Sequence, residues 1–252
     1  MQTYGSAFAK VYNRRWSGFA QHVAPLVKAL YERTCPQDDK SLLDLCCGTG
    51  QLAIHFLKHG YRVVGIDASE AMLKHARENA KEQGSDARTA TFLKADATKF
   101  TLDNRCGLVV STYDSLNHIA DEQSLRQCFQ SVFNVCQRMF VFDLNTRLGL
   151  RRWNGINIDD SEDDLLLINR GIYDGDGDRA WTRITGFCRT QDALFERFDE
   201  TISNTVFAMK RVRQLLVDVG WHDVYFASIG DLSARIEDPE SLGRAFVISL
   251  KR

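Results

Sequence analysis

Apolar positions along this chain alternate between two rhythms. Over residues 1–35 they recur at helical spacing, with Phe19, Val23, Leu26, Val27 and Leu30 on one face. Pro25 interrupts that face, so it either opens a second helix or bends the first. Ser41–Leu45 is a short apolar run ending in Cys46-Cys47-Gly48-Thr49-Gly50, which reads as a buried strand feeding a glycine turn. Helical spacing resumes over 50–59 and stops at Gly60, a C-terminal signal. The alternation then repeats, with strands at 61–66, 89–94, 108–112 and 139–144 and helices at 69–83 and 121–136. Strands spaced by helices in this way predict a parallel sheet covered on both faces.

After Asn145 the rhythm changes. Residues 159–164 are acidic and read as solvated loop. Residues 165–205 read as an antiparallel meander, LLLINRGIY, AWTRITGFCR and LFERFDETIS, with the Asp-Gly pairs of Asp174–Gly177 as a hairpin signal. A helix over 206–219 stops at Gly220, and strands at 221–227 and 245–250 close the chain. The fold class expected is α/β: a Rossmann-like, seven-stranded, mostly parallel sheet with helices on both faces, plus a small antiparallel insertion after the fifth strand. One domain of 252 residues suits this length. Its expected parts are a helical cap (1–35), a core (36–146 and 206–252) and an insertion or lid (147–205).

Composition narrows the classes. Hydrophobic residues at 44% and charged residues at 26% are ordinary for a globular protein with a full core. A net charge of −1 gathers no polyanion, so no nucleic acid partner is expected. The short clusters Arg14-Arg15, Arg151-Arg152 and Lys210-Arg211-Arg213 read as solvated faces. No run of about eighteen apolar residues exists, so no membrane span is expected. The first residues show no signal-peptide pattern, which predicts a cytoplasmic protein. Seven cysteines, an odd number, suit reduced thiols. Adjacent Cys46 and Cys47 lack metal-ligand spacing, so no metal is expected and both read as small residues packed in the turn.

The turn carries the chemistry. Gly48 and Gly50 allow a ligand close to the backbone. Asp67, ending the next strand, can accept both ribose hydroxyls of an adenosine. Asp96, ending the third, can accept the exocyclic amine of adenine. Gly48 to Ala53 also fits G-x-G-x-x-A, so a nicotinamide dinucleotide is an alternative, as is a turn that binds nothing. Against the dinucleotide, two cysteines separate strand from glycine, and Asp44 would repel a pyrophosphate while attracting a cationic methionyl group.

LLDLCCGTG at 42–50, GIDASEAML at 65–73, KADAT at 94–98 and VFDLN at 141–145 together resemble the class I S-adenosylmethionine-dependent methyltransferases. The resemblance implies that Asp44, Gly48 and Gly50 line the methionine and ribose part, with Cys46 standing where glycine is commonest. It implies that Asp67, with Ala68 beside it, binds ribose and that Met72 covers adenine. Asp96 and Ala97 would meet the adenine edge, and Ser111 would join the cofactor set. Tyr4, Tyr12-Asn13 and Trp16 resemble the Y-D-x-x-W entry of small-molecule members, with Asn13 in place of aspartate; Tyr12 would then bond the methionine carboxylate.

The polar stretch 111–118 lies at the end of a central strand, where α/β sheets hold ligands. Tyr113, Asp114 and His118 are the candidate catalytic residues and Asn117 a candidate acceptor ligand; equally, Asp114 or Ser115 only caps a helix. No N-P-P-Y motif exists, and Cys35-Pro36 has the wrong order for a Pro-Cys nucleophile, which argues against base methylation. Trp153 and the GF…ERFDE pattern at 186–200 resemble N-methyltransferases of amines and amino sugars. Trp153 and Arg197, with Trp181 and Phe187, would shape the acceptor pocket, or else form the core of the extra sheet. The expected function is methyl transfer from S-adenosylmethionine to a small-molecule acceptor, most simply an amine nitrogen. An NAD(P)-dependent oxidoreductase and a non-catalytic S-adenosylmethionine or S-adenosylhomocysteine binder are the alternatives. Oligomeric state is not legible.

Overall fold

The computed structural model describes residues 4–36, 39–86, 88–190 and 192–251. Positions 1–3, 37–38, 87, 191 and 252, over which the expected cap, core and insertion run, lie outside the described residues. The chain begins with α1 (Ser6–Arg15) and α2 (Gly18–Thr34). The alternating part is β1 (Ser41–Leu45), α3 (Gln51–Lys58), β2 (Arg62–Asp67), α4 (Glu70–Glu82), β3 (Ala90–Lys94), β4 (Cys106–Ser111), α5 (Glu122–Val135) and β5 (Cys136–Asn145). Then follow α6 (Arg147–Trp153), β6 (Gly155–Glu162), β7 (Leu165–Ile172), β8 (Arg179–Arg189), β9 (Phe195–Thr205), α7 (Met209–Val219), β10 (Asp223–Ala227) and β11 (Arg244–Leu250).

Among the described residues the strands form two sheets. The larger has seven strands in the order β10-β11-β5-β4-β1-β2-β3. It is parallel from β3 to β5, and β11 runs antiparallel to both β5 and β10. Period-two alternation splits its side chains between two cores. Leu43, Leu45, Val109, Phe140 and Phe142 pack with α5 and α7. Leu42, Leu108, Val110, Met139 and Val141 pack with α2, α3 and α4 on the other face. A sheet buried on both sides is why these strands read as unbroken apolar runs. Strand order reverses beside β1, whose neighbours are β2 and β4. A crevice forms there at the strands' C-terminal ends.

The insertion is a four-stranded antiparallel sheet in the order β6-β7-β8-β9. Asp174 shapes its central turn, accepting the N–H groups of Asp176 (3.1 Å) and Gly177 (2.8 Å).

Three expectations change. The helical entry breaks at Trp16 and Ser17, while Pro25 lies inside an uninterrupted α2. Residues 159–164, read as solvated loop, instead span the end of β6 and the turn into β7. Their acids face cations of α1: Asp164 bonds Arg14 at 2.7 Å, Glu162 bonds Arg14 and Arg15, and Asp159 bonds Arg15. Three of the acids thus lie opposite α1 cations, while Asp160 and Asp163 are exposed. Finally, Trp221 precedes its strand, packing edge-on against Phe133, and β10 starts at Asp223. No helix among the described residues is long and apolar enough to cross a membrane.

Candidate active site

Where β1 ends, the backbone bends sharply. Cys46 (φ 60°), Gly48 (φ 53°) and Gly50 (φ 80°) all occupy the left-handed region. A side chain at Gly50 would place its Cβ 3.0 Å from that of Ala76 on α4, so only glycine lets the turn lie against that helix. Cys46 adopts the same region with a side chain, a strained choice where glycine is free. Gly48 N–H donates to Asp67 Oδ2 (2.9 Å), and Ser69 N–H donates to Oδ1 (2.8 Å). Ser69 then caps α4 by accepting from Met72 N–H at 3.3 Å. Burial pushes the Asp67 carboxyl up, against the pull of these N–H groups.

Asp67 faces a cavity of about 450 Å³. Tyr4, Phe8, Tyr12 and Trp16, from α1 and the residues flanking it, wall one side, with Tyr4 stacked on Phe8 at 4.7 Å between ring centroids. Burial pushes the phenols of Tyr4 and Tyr12 upward, so both stay neutral donors.

On the β4 side, Tyr113 (φ 67°) and Asp114 (φ 50°) are two successive left-handed residues. Strain of this kind needs an anchor. Fully buried Asp143 of β5 supplies it, accepting the N–H groups of Tyr113 (2.7 Å) and Asp114 (2.9 Å). Arg244 of β11 pairs with Asp143 and, at 2.8 Å, with Asp114. Its guanidinium lies 4.8 Å from the Phe19 ring centre and 5.4 Å from that of Tyr113. The short 3₁₀ turn Ser115–His118 follows. His118 Nδ1 bonds the Ser203 carbonyl at 3.1 Å; since a carbonyl only accepts, Nδ1 carries hydrogen and Nε2 is left to accept a proton.

Tyr12, Cys46, Gly48, Asp67, Met72 and Tyr113 therefore share one cavity, and Asp114, His118 and Trp153 also line it. Asp44 lies in a small adjoining cleft that shares Tyr12, Trp16, Cys46 and Tyr113 with the main cavity. Its carboxyl, holding Ala53 N–H at 3.1 Å, is pushed up to about 8 by burial. Gly50, Ala68 and Ser111, expected in the cofactor set, line neither space.

Other candidates lie elsewhere. Asp96 bonds Thr98 N–H and Oγ1, each at 2.8 Å, shaping its own turn, and Ala97 is in the core. Asn117 is a pin rather than an acceptor ligand: fully buried, its Nδ2 donates to the carbonyls of Asn145 (3.1 Å) and Thr205 (2.9 Å), and its Oδ1 accepts Asn145 N–H (2.9 Å). Arg197 pairs with Asp199 on the sheet face away from the cavity, because strand parity turns 202 and 204 inward and 197 and 199 outward. Sequence reading missed Arg152, Asn157, Asn169, Thr182 and Asn204, all on the cavity wall, and Arg244 behind it. Parity within the meander was the available signal for the strand residues.

These residues fit an adenosyl group carrying a cationic sulfur. Asp67 lines the cavity with backbone N–H groups as its bonded partners, and a carboxylate can accept further bonds from a ribose diol. The left-handed turn brings backbone to the same place, and the aromatic wall suits a sulfonium.

Residues 42–138 match the methyltransferase domain family. YqeM of Bacillus subtilis (strain 168) is 27% identical over 194 residues, 75% of this chain and 76% of that protein. The dTDP-3-amino-3,4,6-trideoxy-alpha-D-glucopyranose N,N-dimethyltransferase of Streptomyces venezuelae is 30% identical over 114 residues, 45% of this chain and 44% of that one. The X-ray structure of the sugar N-methyltransferase KedS8 from Streptoalloteichus sp ATCC 53650 shares the fold at a TM-score of 0.78 and 20% identity, covering 100% of this chain and 97% of that one.

Proposed function

We propose, from the premise that this chain is a class I S-adenosylmethionine-dependent methyltransferase, that its acceptor is a small, hydroxyl-bearing amine methylated on nitrogen. The observation that carries this reading is the chemistry of the wall facing the glycine turn. Asn157, Asn169 and Thr182 present neutral hydrogen-bonding groups there. Among the described residues, the insertion contributes no carboxylate to the cavity. Asp114 has an oxygen taken by Arg244. An acceptor is thus held by hydrogen bonds, and its nitrogen is not trapped as an ammonium in an ion pair. The sugar N-methyltransferases similar to this chain support the same class.

When bound, S-adenosylmethionine supplies a methyl group already activated on a cationic sulfur. The chain's part is to align and to exclude water. In this reading Asp67 holds the ribose hydroxyls, and Met72 lies against adenine. Asp44 faces the methionyl amine, and Tyr12 its carboxylate. Tyr4, Phe8 and Trp16 keep water from the sulfur. His118 Nε2 takes a proton from the acceptor's ammonium, leaving the lone pair needed for attack. The helical entry (1–35) acts as a cap and the insertion (147–205) as a lid over the core. A small molecule suits the cavity better than a nucleic acid chain, for which a net charge of −1 provides no field.

The test is transfer of isotope-labelled methyl from S-adenosylmethionine to a panel of glucosamine, galactosamine, mannosamine and amino alcohols, with catechols and total RNA alongside. Label on nitrogen is expected; label on oxygen, carbon or RNA overturns the amine reading. Independently of the acceptor, Asp67→Ala should weaken S-adenosylhomocysteine binding by about tenfold or more in calorimetry. Unchanged affinity would remove Asp67 from the cofactor site.

A further inference from the structure

Asn204 is nearly sealed from solvent, at 1% exposure, yet it lines the cavity. Its carboxamide Oδ1 is buried and has no hydrogen-bond partner. Buried amide oxygens are almost always paired, and one left open at a cavity marks a place where a ligand brings the donor. Two bonds hold the backbone on either side of this residue. The Ser203 carbonyl is held by His118 Nδ1 (3.1 Å), and the Thr205 carbonyl by Asn117 Nδ2 (2.9 Å). Thr205 Oγ1 also donates to the Ile119 carbonyl at 2.6 Å and receives Arg179 at 2.9 Å. The outer edge of β9 is thereby fixed to the turn that carries Asp114, Ser115 and His118 into the same cavity. Asn204 is thus an acceptor group on the cavity wall, on a strand end fixed next to the residue that His118 holds.

We propose that Asn204 Oδ1 accepts an N–H of the reacting nitrogen and so aims its lone pair at the methyl group. This rests on the amine reading above. A primary amine carries two hydrogens and one lone pair, so holding an N–H fixes where the lone pair points. As the nitrogen forms its bond to the methyl carbon, the carbon–sulfur bond breaks. Its electron pair leaves on the sulfur of S-adenosylhomocysteine. The nitrogen becomes a methylated ammonium, which then gives its extra proton to solvent. Positive charge grows on the N–H during this step, so the bond to Oδ1 is stronger in the transition state than before it. Losing it should lower kcat more than it raises KM.

Asn204→Ala and Asn204→Asp test this with the same amine panel. The alanine variant should keep its affinity for S-adenosylhomocysteine and lose about 10- to 100-fold in kcat. The aspartate variant keeps the shape and adds a charge. A carboxylate there stabilises the acceptor's ammonium form, so the rising limb of kcat against pH should move to higher pH. Asp67, Asp114, Arg152 and His118 face the same cavity, and Arg179 sits behind Thr205. All are common to the wild type and the variant, so the difference between profiles belongs to position 204. Wild-type transfer to oxygen or carbon, or to no amine, overturns the amine reading and this role together. Amine transfer by the wild type with a loss under about threefold in Asn204→Ala, or with no shift in Asn204→Asp, overturns the role of Asn204 and leaves the amine reading standing.

Discussion

Asp44 and Asp67 are both buried beside the glycine turn, yet their surroundings differ. Asp67 receives two backbone N–H groups and opens on the main cavity. Asp44 receives one, from Ala53, and sits in the side cleft with its carboxyl pushed up to about 8. A carboxyl raised on folding contributes stability that is complete below its unfolded value of about 4 and is lost as pH rises through about 8. Asp44→Asn keeps an oxygen for Ala53 and removes the ionisation. Its melting temperature relative to wild type, without ligand, should therefore climb from about pH 5 to pH 9 and then level. A difference independent of pH would show that Asp44 carries no such shift. The sequence named Asp44 as an acid inside the strand-and-turn motif and Asp67 as the acid ending the next strand. It could not separate them, since burial and the number of N–H donors are set by how the turn closes. Arg244 was not legible at all: its partners Asp114 and Asp143 are 130 and 101 positions away.

At the level of elements, α1 is wedged between α4 and the insertion. Phe8 and Ala9 pack with Met72 on one side and with Ile184 and Ile202 on the other. Around this apolar seam, Arg14 and Arg15 reach Asp159, Glu162 and Asp164. Exposed ion pairs add little to overall stability and are screened by salt. Their effect should instead appear in how readily α1 lifts from the hairpin. A double variant, Arg14→Ala with Arg15→Ala, should melt within a few degrees of wild type, by about the margin expected for surface pairs. It should release S-adenosylhomocysteine several-fold faster in stopped-flow tryptophan fluorescence. Raising ionic strength should speed release from wild type and hardly change the variant. Equal release rates for both proteins would mean that this contact does not hold the entry shut. The acidic run misled sequence reading because its partners are 144 to 150 positions away, whereas solvation is the local default for such a run.

For the whole molecule, strand order and layering were legible because a sheet buried on both faces writes itself as short apolar runs between amphipathic helices. The cavity wall lent by the insertion was not, because it depends on how one sheet is set against another. The two parts also differ in protection. Strands β1, β4 and β5 are almost wholly buried, while β6 is an edge strand with exposed Ile156 and Ile158. Hydrogen exchange should reflect this. S-adenosylhomocysteine is expected to slow exchange most in 4–16 and 155–172, and least in β1, β4 and β5, which are already slow. Slowing confined to the seven-stranded sheet would mean that ligand does not draw helix and insertion together.

Asn117 has a consequence beyond packing. One carboxamide clasps the chain where it departs the large sheet, at Asn145, and where it comes home, at Thr205. The stretch between those clasped points, residues 146–204, forms a cartridge with both terminals at a single socket. Transplanting the corresponding stretch from a relative, with Asn117 kept, should swap which molecule is methylated while the grip on the methyl donor stays as it was.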